Sequence, residues 1–233
     1  MFKQIIVATI FLVAFSAVIA QCNPVVRLAV EEEEQDVVPS CSSCYVSMDS
    51  SIAVLNQILR NNNNFEYCLD LCDQLSNNNR VSCNLTCESL GYSQFVYFIG
   101  QDNADPIALC QYAGICPANS NPSGDVRILT VTPAYAPIGT PFNISMSFNG
   151  LVQAGQAQVI VNSPLQSPII ISNQLLVNFN ATSSITFIMN TSAATMSGIY
   201  QITGLICADS CESNDINAKV LDKATASFSV YLQ

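Results

Sequence analysis

The spacing of apolar residues predicts a helix directly after two closely spaced cysteines, Cys41 and Cys44. The apolar positions recur every three or four residues, which places them on one face of an α-helix. They are Met48, Ile52, Leu55 and Leu59. The asparagine run at 61–64 ends the pattern, because asparagine favours turns and loops over helix interiors.

Three further helices are predicted before residue 118. The second begins near Phe65, and the third follows the polar break at 76–79 and continues through Gly91. The fourth begins at Asp105 and Pro106, since aspartate is a preferred N-cap and proline suits the first helical position. The first part of the chain is therefore predicted to contain four helices.

From Asp125 onward the apolar period changes to two, which is typical of half-buried β-strands. The first clear strand carries Phe142, Ile144, Met146 and Phe148. The same alternation recurs at Val159 and Val161, at Ile185, Phe187 and Met189, and at Phe228, Val230 and Leu232. About eight short strands separated by Pro, Gly and Asn predict an immunoglobulin-like β-sandwich.

Changes in composition along the 233 residues predict five segments. These are a signal peptide at 1–20, an acidic leader at 21–36, a helical domain at 37–118, a linker at 119–124 and a β-sandwich domain at 125–233. The expected fold class is mixed, with a disulfide-stapled all-α bundle followed by an all-β sandwich.

The first twenty residues are typical of a secretory signal peptide. Lys3 supplies a positive charge, an almost wholly apolar run extends from Ile5 to Ile19, and cleavage is expected after Ala20. A membrane anchor is the alternative, but the apolar run is shorter than the ~20 residues that span a bilayer. The chain is therefore expected to be secreted and extracellular.

Charge and residue types exclude several functions. Seventeen acidic residues against 7 basic ones give a net charge of −10, which repels nucleic acid and anionic membranes. The sequence contains no histidine, so Ser-His-Asp triads and histidine-containing zinc sites are excluded. No cofactor, metal or nucleic acid is expected as a partner. The chain is not expected to be an enzyme.

Eight of the eleven cysteines lie between Cys41 and Cys116. Cysteines four residues apart share a helical face, so an antiparallel hairpin allows the nested pairs Cys72–Cys83 and Cys68–Cys87. Pairing Cys41–Cys116 and Cys44–Cys110 then joins the first helix to the last. Sequence alone leaves 105 connectivities for eight cysteines, and helical geometry favours this one.

The remaining cysteines and the glycosylation motifs suit a secretory chain. Cys207 and Cys211 are expected to close a local loop, which leaves Cys22 for an intermolecular bond or for a local pairing that displaces one of the others. Four N-x-S/T motifs predict N-glycosylation. They are at Asn84, Asn143, Asn180 and Asn190.

The helical part resembles the saposin B-type domain, through Cys41-x-x-Cys44, the central pair Cys72 and Cys83, and the closing pair Cys110 and Cys116. The resemblance implies a saposin-like bundle that contacts lipid or a membrane surface through residues 37–118. Cys68 and Cys87 are additional to the six-cysteine pattern. An extra bridge favours the alternative, a closed bundle that is only a scaffold.

Nearly the full mature chain resembles the countin family of secreted social-amoeba proteins. The resemblance rests on the eight cysteines together with two tail segments, 133–142 and 198–207. It implies a glycoprotein that works with other secreted proteins in a complex, through which cells sense their number and regulate aggregate size, adhesion and motility.

Other functions are open from the sequence alone. A saposin-like carrier of lipid is one alternative, and a glycosylated spacer is another for the β-rich part. Asp70 and Asp73 could serve as an acid–base pair in an enzyme, but the helix pattern favours a solvated surface for both.

Overall fold

Five helices occupy the first part of the computed structural model, which describes residues 40–61, 64–164, 167–191, 196–213, 215 and 217–232. The helices are α1 (Cys41–Asn61), α2 (Cys68–Cys72), α3 (Asn77–Leu90), α4 (Tyr92–Ile99) and α5 (Pro106–Tyr112). Among the described helices, none combines the length and the apolar character that a transmembrane span requires.

Local sequence explains where the helices begin and end. Asp105 caps α5, because its Oδ1 accepts hydrogen bonds from the backbone nitrogens of Ile107 at 2.8 Å and Ala108 at 3.0 Å. Gly91 has a φ of 81°, which glycine adopts without steric cost. This residue separates α3 from α4, so the predicted third helix is two helices.

Six strands form one sheet. They are β1 (Ser123–Thr132), β2 (Tyr135–Pro137), β3 (Pro141–Asn162), β4 (Ile169–Asn190), β5 (Gly198–Ala208) and β6 (Lys219–Tyr231). Hydrogen-bonded neighbours run in the order β1-β3-β5-β6-β2, and β4 pairs with β3. All pairs are antiparallel except β2 with β6.

The long strand β3 organises the sheet because it changes partner along its length. Its first half pairs with β1 as far as Leu151, and its second half pairs with β5 from Gly155 onward. A Cβ on Gly155 would collide with the carbonyl oxygen of Cys207 and lie 2.7 Å from Val152 Cγ1. Only glycine therefore allows β5 to approach β3 at the point of exchange.

The sheet curls until β1 and β6 lie side by side, which gives a nearly closed barrel. The backbone nitrogen of Val126 on β1 donates to Oδ2 of Asp222 on β6 at 2.8 Å. Gly124 permits the close approach, since a Cβ there would lie 2.8 Å from Ile206 Cγ2. Phe142, Phe148 and other fully buried side chains fill the interior.

The prediction of an immunoglobulin-like sandwich is wrong. A sandwich needs two packed sheets of short strands, whereas β3 and β4 each run for 22 residues within one curled sheet. Several asparagine and glycine residues, which the sequence indicates as breaks between short strands, lie inside these two long strands. Gly150, for example, pairs with both Gly124 and Ala181.

The prediction of a saposin-like all-α bundle is also wrong. The helices form a layer whose buried cluster includes Ala154 of β3, with Leu175 and Val177 of β4 packed against it. The described residues form a single compact unit. The apolar interior of the helices is therefore shared with the sheet, and the lipid contact expected for residues 37–118 loses the fold on which it rested.

Replacing the carboxylate that closes the barrel is expected to destabilise the protein. Asp222→Ala removes the acceptor of the Val126 hydrogen bond, and a bond to a charged group is worth about 1.5–3 kcal/mol. Urea unfolding followed by circular dichroism measures the loss.

Asp125→Ala provides the control. Asp125 also lies at the start of β1, but its carboxylate is half-exposed, and its ion pair is with Arg127, two residues along the same strand, at 2.7 Å. Its removal is expected to cost less than about 1 kcal/mol. Equal losses in the two variants would contradict the closing role of Asp222.

Candidate functional site

Four disulfides hold the helical layer, and their eight cysteines are buried. They are Cys41–Cys116, Cys44–Cys110, Cys68–Cys87 and Cys72–Cys83. The Cα–Cα distances lie between 4.5 and 6.1 Å, within the normal range for disulfides. The first two bonds tie the start of α1 to α5 and the residues after it, and the other two tie α2 to α3.

A fifth disulfide, Cys207–Cys211, closes a loop directly after β5. Inside it, Asp209 adopts a φ of 61°, a conformation that aspartate tolerates better than most residues. The loop places Asp209 and Ser210 against the helical layer, where both are buried. With Asp105 of the helical layer they form a cluster of buried polar groups, and this cluster is the candidate site.

Asp105 connects the helical layer to this loop. Its Oδ1 accepts from the hydroxyl of Ser210 at 2.6 Å while also capping α5, and its Oδ2 accepts from the backbone nitrogen of Ser210 at 3.0 Å. The side chain is therefore saturated with donors, which offsets the cost of burying a carboxylate. One aspartate both starts a helix and holds the sheet.

Asp209 lies beside Asp105 and is only 1% exposed. Its Oδ1 accepts from Gln111 Nε2 at 2.8 Å and from Asn119 Nδ2 at 2.9 Å, whereas its Oδ2 accepts from none of the described residues. Burial, followed by the negative charge of Asp105, raises the pKa of Asp209 to about 6, although the two amide donors lower it. Asp209 therefore titrates in mildly acidic conditions.

Asn119 fastens the segment between the helices and β1. Its Nδ2 donates to the carbonyl oxygen of Ala154 at 2.6 Å as well as to Asp209. Its Oδ1 accepts from the backbone nitrogens of Gln153 at 2.9 Å and Ala154 at 3.2 Å. Although the sequence indicated a linker at 119–124, this residue is fixed to the middle of β3.

A second polar bridge runs from α1 to the sheet through Tyr45. The buried Gln156 of β3 and Asn173 of β4 donate to the tyrosine oxygen at 3.0 and 3.1 Å. Burial and the nearby carboxylate of Asp49 raise the pKa of Tyr45. The Oε1 of Gln156 accepts from the backbone nitrogen of Cys211, so one glutamine joins α1 to the disulfide loop.

The geometry of the site suits a structural role, in which hydrogen bonds hold the helical layer against the disulfide loop after β5. The carboxylate of Asp105 is held by backbone and hydroxyl donors, and no cluster of three or more metal-ligating side chains occurs among the described residues. Asp70 and Asp73 lie exposed on and after α2, where Asp73 faces Arg80 at 3.5 Å.

The glycosylation motifs occupy different environments. Asn143, Asn180 and Asn190 are exposed on β3 and β4. Asn84 is half-buried on α3, with its Oδ1 shielded from solvent. The expected cleavage after Ala20, the acidic leader and Cys22 lie outside the described residues.

Two family models match the chain. The Countin N-terminal domain matches residues 34–114, and the Countin C-terminal domain matches residues 124–233. Together they span most of the sequence and meet where the helices give way to the sheet. The chain belongs to the countin family.

Countin proteins of Dictyostelium discoideum are similar to the chain. Countin-2 is 30% identical over 182 residues, which cover 73% of this chain and 71% of that protein. Countin-1 is 25% identical over 207 residues, which cover 82% of this chain and 77% of that protein. Among solved structures, a CARDB domain from Pyrococcus furiosus aligns with 48% of this chain and with 94% of its own length, at 14% identity. The TM-score is 0.34, which is too low to support any argument.

Sequence reasoning found only part of the site in this countin-family chain. It identified Asp105 as an N-cap but not as the partner of Ser210, and it did not single out Asp209. The signal for Asp209 was its place between two cysteines four residues apart, directly after an apolar strand. Such a short disulfide loop fixes the intervening side chains against whatever packs on that end of the sheet.

Removing the charge of Asp209 is expected to stabilise the protein at neutral pH. The pKa of Asp209 is about 6 in the fold against an ordinary value of 3.8, so the ionised side chain costs stability above pH 6, and the cost disappears as the pH falls through 6 towards 4. The difference corresponds to roughly 3 kcal/mol. Asp209→Asn keeps an acceptor for Gln111 and Asn119 without the charge.

Urea unfolding across this pH range, followed by circular dichroism, tests the expectation. The variant should exceed the wild type by on the order of 1–3 kcal/mol above pH 7, and the two should converge near pH 4. Asp70→Asn, at an exposed position, serves as the control and should follow the wild type. A variant that is less stable than the wild type at neutral pH would refute this account of Asp209.

Proposed function

We propose that this chain is a secreted, non-enzymatic factor of an extracellular complex through which cells sense their number. In this role it acts with other secreted proteins to limit aggregate size, by altering adhesion and motility. The observation that carries the proposal is the match to both countin domains, at residues 34–114 and 124–233.

Secretion is supported by two independent features. The apolar run from Ile5 to Ile19 has the pattern of a signal peptide. The five disulfides of the described chain are typical of oxidising compartments, because cytosolic thiols are kept reduced. Exposed motifs at Asn143, Asn180 and Asn190 suit a glycoprotein.

A non-enzymatic role is supported by the use that the fold makes of its buried polar groups. The hydrogen bonds of the main buried polar side chains join the helices and the segment after them to the sheet and the loop that follows it; these side chains are Asp105, Gln156 and Asn119. The absence of histidine from the sequence removes the most frequent general base. The saposin-like lipid carrier is not retained, because it depended on a free-standing helical bundle.

Loss of the chain is expected to increase the number of cells in each aggregate. Cells that lack the protein should form larger groups, and adding the purified protein should restore the normal size, because the proposed factor reports cell number from outside. The measurement is the count of cells per aggregate, with and without added protein.

Two controls make this test specific. Protein that has been reduced and alkylated should have no effect, because the helical layer depends on four disulfides. Folded Asp70→Asn, altered only at an exposed position, should act like the wild type. Aggregates of unchanged size in cells lacking the protein would exclude the proposed role.

Cys22 is expected to form an intermolecular disulfide, since the other ten cysteines pair with one another. Native protein on a non-reducing gel should migrate above the single-chain mass, and Cys22→Ser should migrate as one chain. Identical migration of the wild type and the variant would contradict this expectation.

A further inference from the structure

An open cleft of about 330 Å³ lies among α1, α4 and α5. Its apolar lining comes from these helices and includes Ile52, Phe98 and Leu109. Its polar lining comes from the loop between α4 and α5 and from Asp215, which lies in the loop between β5 and β6. The cleft is in the size range of ligand pockets and combines apolar walls with a few polar groups, as binding sites do.

Three aromatic side chains line the cleft and contact one another. The rings of Tyr97 and Phe98 meet edge to face, with centroids 5.7 Å apart, and the rings of Phe98 and Tyr112 are stacked at 4.7 Å. Tyr97 is 65% exposed and Tyr112 is 40% exposed. The face of an aromatic ring carries partial negative charge, so exposed ring surface attracts cations.

Carboxylates also line the cleft, whereas none of its described lining residues is a lysine or an arginine. They are Asp102, Asp105 and Asp215. The hydroxyl of Tyr112 donates to Oδ2 of Asp215 at 3.1 Å, and it accepts from Asn217 Nδ2 at 3.2 Å, so both groups hold the ring in place. Burial, followed by the hydrogen bond and the charge of Asp215, raises the pKa of Tyr112. Aromatic and acidic groups are therefore adjacent in the cleft.

We propose that this cleft, lined by Tyr97, Tyr112 and Asp215, binds the guanidinium group of an arginine side chain from a partner protein. A guanidinium is planar, so it stacks on the face of an aromatic ring, and its fixed donors pair with a carboxylate in bidentate geometry. The attraction to the rings and the attraction to the carboxylates then act on the same group. A lysine ammonium gains the charge attraction but does not stack.

The charge of the chain indicates the kind of partner. A net charge of −10 attracts basic proteins and repels a second copy, which carries the same charge. The chain's own leader at 21–36 is a poor occupant, because it carries five carboxylates and only one arginine, Arg27. An arginine on a basic partner therefore suits both the charge of the whole chain and the lining of the cleft.

Nuclear magnetic resonance titration of the secreted, purified protein with short peptides tests the proposal. The probe is acetyl-Gly-Arg-Gly-amide, which we expect to shift the ring signals of Tyr97, Phe98 and Tyr112 in a saturable way. The citrulline peptide, acetyl-Gly-citrulline-Gly-amide, keeps a planar end group but lacks the charge, so it should cause no saturable shift. The lysine peptide should bind more weakly than the arginine peptide, because an ammonium does not stack on a ring.

A matched pair of variants isolates the aromatic contribution. Tyr97→Leu removes one ring, and we expect it to weaken binding of the arginine peptide about 2- to 5-fold, the range of an exposed cation–π contact. The control is Tyr135→Leu, because Tyr135 is also 65% exposed and stacks on Tyr231 at 4.4 Å, but it lies on β2. This control should bind the peptide as the wild type does.

Asp215→Asn removes one negative charge from the cleft and should also weaken binding, whereas Asp70→Asn, at an exposed position on α2, should not. The absence of a saturable shift with the arginine peptide would overturn the proposal. So would equal binding of the arginine peptide and either of the other two, or shifts at Tyr135 and Tyr231 as large as those at Tyr97. None of these outcomes depends on whether the chain reports cell number.

Discussion

The pair of buried carboxylates at Asp105 and Asp209 is the constraint on which the arrangement of helices and sheet depends. Asp105 is satisfied by four donors, two from its own helix and two from Ser210 of the disulfide loop. Asp209 is held less completely, because its Oδ2 accepts from none of the described residues, and burial followed by the negative charge of Asp105 raises its pKa. One member of the pair therefore fastens the fold, and the other carries an electrostatic cost at neutral pH.

The rest of the fold holds this contact between the helices and the disulfide loop in place from both sides. Two disulfides fix α1 to α5 and the residues after it, and two others fix α2 to α3, so Asp105 at the start of α5 is presented from a covalently braced layer. On the sheet, β3 supplies Gln156 and the backbone that Asn119 grips, while β5 leads directly into the loop that holds Ser210. Covalent and polar constraints thus converge on the end of β5.

Local features of the fold were predictable from the sequence, and the long-range arrangement of the strands was not. The Asp105 N-cap and the helical face of Met48 and Leu55 follow from local spacing. Partner exchange along β3 does not, since it depends on the absence of a Cβ at Gly155 facing a strand some fifty residues away. The burial of Asp209 was equally hidden, because it is created by Gln111 and Asn119 from the other half of the chain.

The hydrogen bonds between Asn119 and the backbone of Ala154 have a consequence for separating the two halves of this chain. Separating the two halves by gene fission or by shuffling would expose Ala154. Gln156 would lose its tyrosine partner, and Asp209 would lose an amide donor. Each fragment would then carry polar groups without hydrogen-bond partners, which costs free energy unless water reaches them. Recombination that keeps both halves together escapes this penalty. The N-terminal and C-terminal countin domains of this chain therefore depend on each other for the satisfaction of their buried polar groups.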